Sequence, residues 1–145
     1  MTPRRLILAA PALLLLPPEP ARASAEAMAE ALRAFTGGAP VTAGRVALEI
    51  SPLVENGNTV PLSVMVPSPM TQAEHVRAIA VFNERNPQPH VVTARFSRHS
   101  GQAMLATNIR LATSQTILAV AAFSDGSFWS DSAQVIVTLA ACLEG

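Results

Sequence analysis

Short stretches in which apolar residues alternate with polar or small ones begin at Arg45 and recur almost to the end of the 145-residue chain. Val46, Leu48 and Ile50 form the first apolar row. A period of two places one face of a strand against a core and the other toward water. About seven or eight such short strands at near-regular spacing predict an all-β sandwich of two sheets. The later stretches cover residues 60–66, 78–82, 91–96, 103–111, 116–123 and 133–139.

Residues that favour turns separate the predicted strands. Asn56 and Gly57 form one such pair, and proline pairs form others, which we interpret as turn chemistry. Asp125-Gly126 between two apolar stretches predicts a hairpin with a type I′ turn, because both central positions of that turn need positive φ. Phe128 and Trp129 follow this turn, and we expect them to pack beneath it.

The N-terminal residues have the pattern of a secretory signal. Arg4 and Arg5 precede an apolar run from Leu6 to Leu16, and Ala21-Arg22-Ala23 is a cleavage pattern. The run is about half the ~20 residues that a transmembrane helix needs, so no membrane span is expected. The paired arginines favour twin-arginine export to a periplasm. We therefore predict a signal peptide over residues 1–23.

A short helix is predicted directly after the signal. Ser24 can cap an alanine-rich segment that continues to Phe35, and Gly37, Gly38 and Pro40 end it. The sequence then divides into a sandwich domain over residues 24–139 and a short, flexible C-terminal arm over residues 140–145.

The charge of the chain excludes one large class of partner. There is no lysine, and seven basic and nine acidic residues follow Ala23. Without a basic cluster the chain has nothing with which to hold a phosphate backbone, so we expect no nucleic-acid partner.

The single cysteine is the strongest chemical signal. Cys142 cannot form a disulfide within the chain, and an unpaired thiol in an exported protein indicates a reactive group or an intermolecular bond. It lies in the arm, whose other residues are Ala140, Ala141, Leu143, Glu144 and Gly145.

Other catalytic or metal sites are not indicated. His75, His90 and His99 lack metal-ligand spacing, and no nucleophile elbow is present in the sequence. A thiol oxidoreductase is disfavoured because no second cysteine can resolve a mixed disulfide. We therefore expect neither an enzyme nor a bound cofactor.

Five segments of the chain resemble SoxY, the carrier subunit of the bacterial sulfur-oxidising system. They are Pro52–Leu62, Ser68–Thr71, Val81–Pro89, Ile109–Ala112 and Ser124–Trp129. The resemblance implies an immunoglobulin-like sandwich that forms a heterodimer with a small β partner, SoxZ. It also implies a Gly-Gly-Cys-Gly-Gly arm whose cysteine carries sulfur intermediates covalently between separate enzymes.

Only Cys142 matches that arm motif. Alanines precede the cysteine and Leu143-Glu144 follow it, as in a SoxY-related group whose arm reads Ala-Ala-Cys-Ile-Glu. Alanine restricts the backbone more than glycine does, which distinguishes this arm from the usual one.

These observations lead to one hypothesis and one alternative. The first is a periplasmic carrier that attaches sulfur intermediates to Cys142 and presents them to sulfur-oxidation enzymes. The alternative is an interaction module that carries no substrate and joins a partner through a Cys142 disulfide.

Overall fold

The computed structural model of the chain describes residues 25–141. Helix α1 comes first, and nine strands follow within this range. Their bounds are α1 Ala25–Thr36, β1 Val41–Ala43, β2 Ala47–Ile50, β3 Leu53–Val54, β4 Val60–Val66, β5 Val76–Asn83, β6 His90–Arg95, β7 Ala103–Ile109, β8 Gln115–Phe123 and β9 Phe128–Val137.

The strands form two sheets. The larger has the order β1-β9-β8-β5-β6, with β3 also pairing with β9, and the smaller has the order β2-β4-β7. Strands β1 and β3 pair in parallel with β9, whereas the other pairs are antiparallel. The prediction of an immunoglobulin-like sandwich preceded by one short helix is confirmed.

The main core lies between the sheets. Strand β4 buries every second residue, as its alternating sequence predicts. Strands β5 and β8 are buried on both faces, because the helix covers the side of the larger sheet that points away from the core. Phe35 of the helix makes edge contacts with the rings of Phe82 and Phe128, at centroid distances of 5.9 and 5.8 Å. Phe128 is therefore buried with its ring against the helix, and Trp129 is half-buried against the main core.

The hairpin between β8 and β9 forms, but its predicted turn type is wrong. Gly126 has a φ of 85°, whereas Asp125 does not have positive φ, so this is not a type I′ turn. The loop is longer than two residues, and the Asp125 carboxylate accepts bonds from the Ser127 hydroxyl at 2.6 Å and amide at 2.9 Å. These bonds lower the pKa of Asp125, and the bond from the Ser127 hydroxyl has the larger effect.

Strand boundaries also differ from the prediction. The last strand begins at Phe128 rather than Ala133, and the sequence pattern does not predict β1 or β3. Ser24 lies outside the described residues, so the helix is seen to begin at Ala25. Within residues 25–141, no helix is long and apolar enough to cross a membrane.

Candidate functional site

The chain stays hydrogen-bonded to the sandwich beyond the end of β9. Thr138 N donates to Val54 O at 3.0 Å, Gly57 N donates to Leu139 O at 2.8 Å, and Ala141 N donates to Leu111 O at 3.0 Å. The residue after Ala141 is Cys142. We call Gly57, Leu111, Leu139 and Ala141 the arm base, because they hold the backbone up to the residue that precedes the cysteine.

Gly57 is the point of closest approach in the arm base. It is buried, and its carbonyl accepts a bond from Leu111 N at 2.8 Å. A β-carbon at this position would lie 2.4 Å from Leu111 O and 2.9 Å from Ala141 N. Both neighbours are backbone atoms, which cannot rotate away as a side chain can. Gly57 does not have positive φ. Glycine is therefore required here because three segments approach closely, and not because of its backbone conformation.

Two amide side chains hold Leu111 in place. Asn86 Nδ2 donates to Arg110 O at 2.7 Å, and Asn86 Oδ1 accepts from Ala112 N at 2.9 Å and from Gln115 Nε2 at 2.8 Å. Leu111 is fully buried and Gln115 nearly so. Asn86 is half-buried, and amide side chains whose hydrogen bonds are satisfied make a rigid network. The loop after β5 therefore fixes the peptide units on both sides of Leu111, and with them the acceptor for Ala141.

The structure describes two of the predicted site residues, Ala140 and Ala141. Ala140 is exposed and Ala141 is half-buried, both in the arm base region. Cys142, Leu143, Glu144 and Gly145 lie outside the described residues, as does the predicted signal peptide over residues 1–23.

Sequence reasoning does not find the residues that hold the arm base. It interprets Asn56-Gly57 only as a turn, and the Asn58 amide does bond to Asn56 Oδ1 at 2.9 Å as in an Asx turn. Gly57, Asn86 and Leu111 nevertheless lie in three of the segments that carry the SoxY resemblance. Their shared membership of those segments is the one signal in the sequence, and the structure brings them together at one end of the sandwich.

Apolar side chains flank the arm base on the solvent side. Leu53 and Ile136 are paired across β3 and β9, and together with Leu139 they are each more than half exposed.

The three histidines are not brought together. His75 Nδ1 donates to Thr71 O at 2.9 Å, His90 Nε2 is bonded to Thr93 Oγ1 at 2.7 Å, and His99 Nε2 accepts from Arg98 Nε at 3.1 Å. In the part of the chain that the structure describes, no three His, Cys, Asp or Glu residues are grouped so that they could hold a metal ion.

Comparison with known proteins agrees with this fold. The chain is similar to the structure of the sulfur carrier protein SoxY from Chlorobium limicola f thiosulfatophilum, with 22% identity and a TM-score of 0.67 over 80% of this chain and 100% of that one. It is also similar to a superoxide reductase (neelaredoxin) from Ignicoccus hospitalis, with 16% identity and a TM-score of 0.58 over 65% of this chain and 80% of that one. A putative superoxide reductase from Thermotoga maritima has 24% identity and a TM-score of 0.55 over 71% and 89%. These similarities show the fold.

The sequence itself identifies the family. No curated protein matches the chain. The family model described as "Sulfur oxidation protein SoxY" matches residues 32–142, which include the helix end, all nine described strands, the arm base and Cys142. This chain therefore belongs to the SoxY family of sulfur oxidation proteins.

Proposed function

We propose that this protein is a periplasmic carrier that holds sulfur intermediates covalently on Cys142 and presents them to sulfur-oxidation enzymes. The observation that carries the proposal is that the family match extends through Cys142 while the backbone is anchored up to Ala141. An anchored base would present the following thiol at a defined place on the protein. Export would remove residues 1–23 as a signal peptide.

Loading and unloading fit thiol exchange. The Cys142 thiolate would attack a sulfur atom in a sulfur–sulfur bond of the donor, so that a new S–S bond forms and the donor's bond breaks. The leaving sulfur takes the electron pair of the broken bond, and the thiol proton passes to solvent. A second nucleophile would release the cargo by the reverse step. Exchange of this kind needs no oxidant and no cofactor.

Activation of the thiol is assigned to the partner enzymes. Glu144 is a negative group close to Cys142 in sequence, and negative charge disfavours the thiolate. The carrier would thus be unreactive when free and reactive inside an enzyme that stabilises the thiolate. This division of roles supports a carrier that is not itself an enzyme.

A SoxZ-like subunit is the proposed stable partner. Among the described strands, β6 and β7 are each paired on one side only, at the same side of the sandwich. Unpaired strand edges promote association unless they are covered. On the opposite side, an edge amide of β2 already has a partner, because Leu48 N donates to Asp131 Oδ2 at 2.9 Å. The β6–β7 side therefore offers the better site for a β partner.

The experiment is complementation of a strain that lacks the gene. Cys142→Ser should abolish growth on a reduced sulfur compound, because a serine hydroxyl cannot form a sulfur–sulfur bond. Its stability should stay within about 0.5 kcal/mol of the parent, as for surface changes. Ala140→Ser is the matched control, since it adds a hydroxyl to the arm and keeps the thiol. Full growth with a normally folded Cys142→Ser protein would refute carriage on this residue.

A further inference from the structure

A depression of about 670 Å³ lies on the helix-covered face of the larger sheet. Ala34 and Phe35 line it, so it lies beside the C-terminal end of helix α1. The floor consists of apolar groups: Phe35 of the helix, Ala78, Ala122 and Phe128. Such a floor suits an apolar side chain rather than a fully hydrated group.

The rim of the depression is cationic. Three of the seven arginines that follow residue 23 lie here, and so do two of the three histidines. Among the described residues, no acidic one lines the depression. Glu74, which precedes His75 in sequence, is instead paired with Arg45 at 3.0 Å. The rim residues are His75, Arg77, Arg95, Arg98 and His99.

One of these arginines is held in position with hydrogen-bond donors to spare. Arg98 Nη1 donates to Gln72 Oε1 at 2.6 Å, and Arg98 Nε donates to His99 Nε2 at 3.1 Å. A guanidinium carries five N–H donors, so these two bonds leave others for a ligand. Arg95 is paired in register with Ala78 of the floor, which places its side chain on the same face of the sheet.

The depression and the arm base lie at opposite ends of the molecule. Strand β9 begins at Phe128 in the floor and ends at Val137, four residues before Ala141. Ten strand residues span about 30 Å. A protein bound at the depression would therefore leave the arm free to enter a different site.

We propose that this depression is a docking site for an acidic segment of a partner protein, in which carboxylates flank one aromatic or large aliphatic side chain. The apolar residue would fill the floor and the carboxylates would pair with the rim, where Arg favours bidentate contact. A free oxyanion fits less well, because it has only a few times the ~30 Å³ of a water molecule and needs converging donors. The rim cations are instead spread over two strand ends and a loop.

Fluorescence anisotropy of a labelled peptide tests the proposal on the full processed chain. The probe has one phenylalanine between two runs of glutamate. We expect saturable binding that Arg95→Ala/Arg98→Ala weakens at least about fivefold, as loss of two rim ion pairs implies. Arg85→Ala/Arg110→Ala is the matched control, because it removes the same charge from exposed residues near the other end of β5 and β7. This control should change affinity less than about twofold.

Three outcomes would overturn the proposal. The first is equal weakening by both double variants, which would indicate net charge alone. The second is equal binding of a peptide with lysine for glutamate or with alanine for phenylalanine. The third is displacement of the peptide by millimolar sulfate or thiosulfate but not by chloride at matched ionic strength, which would identify a small-oxyanion site. Thermal melts of each variant check folding, and none of these results depends on Cys142.

Discussion

Gly57 shows how one residue can set the geometry of the whole arm base. Its amide and carbonyl bond to Leu139 and Leu111, and its missing side chain lets Ala141 approach. The Ala141 amide thus depends on a residue more than eighty positions earlier in the chain.

We expect Gly57→Ala to lower the free energy of unfolding by about 1–3 kcal/mol, the usual cost of inserting a methyl group into a packed site. It should also increase hydrogen exchange at the Ala141 amide, because Leu111 O or the arm must move. Urea unfolding and exchange measured by NMR check both effects.

Gly101→Ala is the control for this experiment. Gly101 has a φ of 74°, and a β-carbon added there would have no atom within 4 Å, so the change adds backbone strain without a clash. Its Ala141 amide should exchange as in the parent. Unchanged exchange and stability in Gly57→Ala would contradict the described packing.

Strand β9 is the element that links the parts of the molecule. It pairs with β8, with β1 and with β3, and Asp131 on it bonds to β2 of the other sheet. The Asp131 carboxylate also accepts from Ser132 N at 2.9 Å. This side chain therefore covers an amide at the edge of the smaller sheet.

Asp131→Ala should destabilise the protein by about 1–3 kcal/mol, because Leu48 N loses its acceptor in a partly buried place. Asp131→Asn keeps an acceptor oxygen and should cost less. Gln134→Ala, an exposed change on the same strand, should stay within about 0.5 kcal/mol. Denaturant unfolding measures all three. Equal stability of the alanine and parent proteins would show that this bond does not join the sheets.

Elements with a strong local pattern could be predicted, whereas those that depend on distant partners could not. The alternation in β4 and the alanine-rich helix are visible within a few residues. Strands β1 and β3 have three and two residues, and they exist only because β9 lies beside them. The first half of β9 includes Ser130, Asp131 and Ser132, whose polar side chains hide its strand character in the sequence.

The proposed site divides in the same way into a residue that the sequence indicates and support that it does not. The sequence contains a single cysteine, so Cys142 could be named as the candidate. The residues that support the arm could not be named from the sequence. Gly57, Asn86 and Leu111 act through backbone contacts across large sequence separations. A glycine in a turn gives no local indication that another segment approaches it.

The sandwich separates three surfaces. The arm base lies at one end and the cationic depression lies at the other. The third surface is the side of the sandwich where β6 and β7 each have an unpaired edge. Under the proposed function, this separation would let the protein keep one subunit bound while its arm enters several enzymes.

We expect a one-to-one heterodimer with a SoxZ-like protein on co-expression, seen by size-exclusion chromatography with light scattering. The Cys142→Ser chain should form the same heterodimer, because strand-edge pairing needs no covalent bond. A well-folded monomer that does not bind its candidate partner would contradict the pairing, and a dimer lost in Cys142→Ser would favour the disulfide-linked module.

Intact mass spectrometry with peptide mapping shows whether Cys142 carries sulfur. The protein is purified without reductant from the periplasm of cells that are oxidising a reduced sulfur compound. We predict adducts of one or a few sulfur or sulfur–oxygen groups on the C-terminal peptide, removed by dithiothreitol and missing from Cys142→Ser. An unmodified thiol throughout, or a single stable disulfide to another protein, would contradict the carrier function.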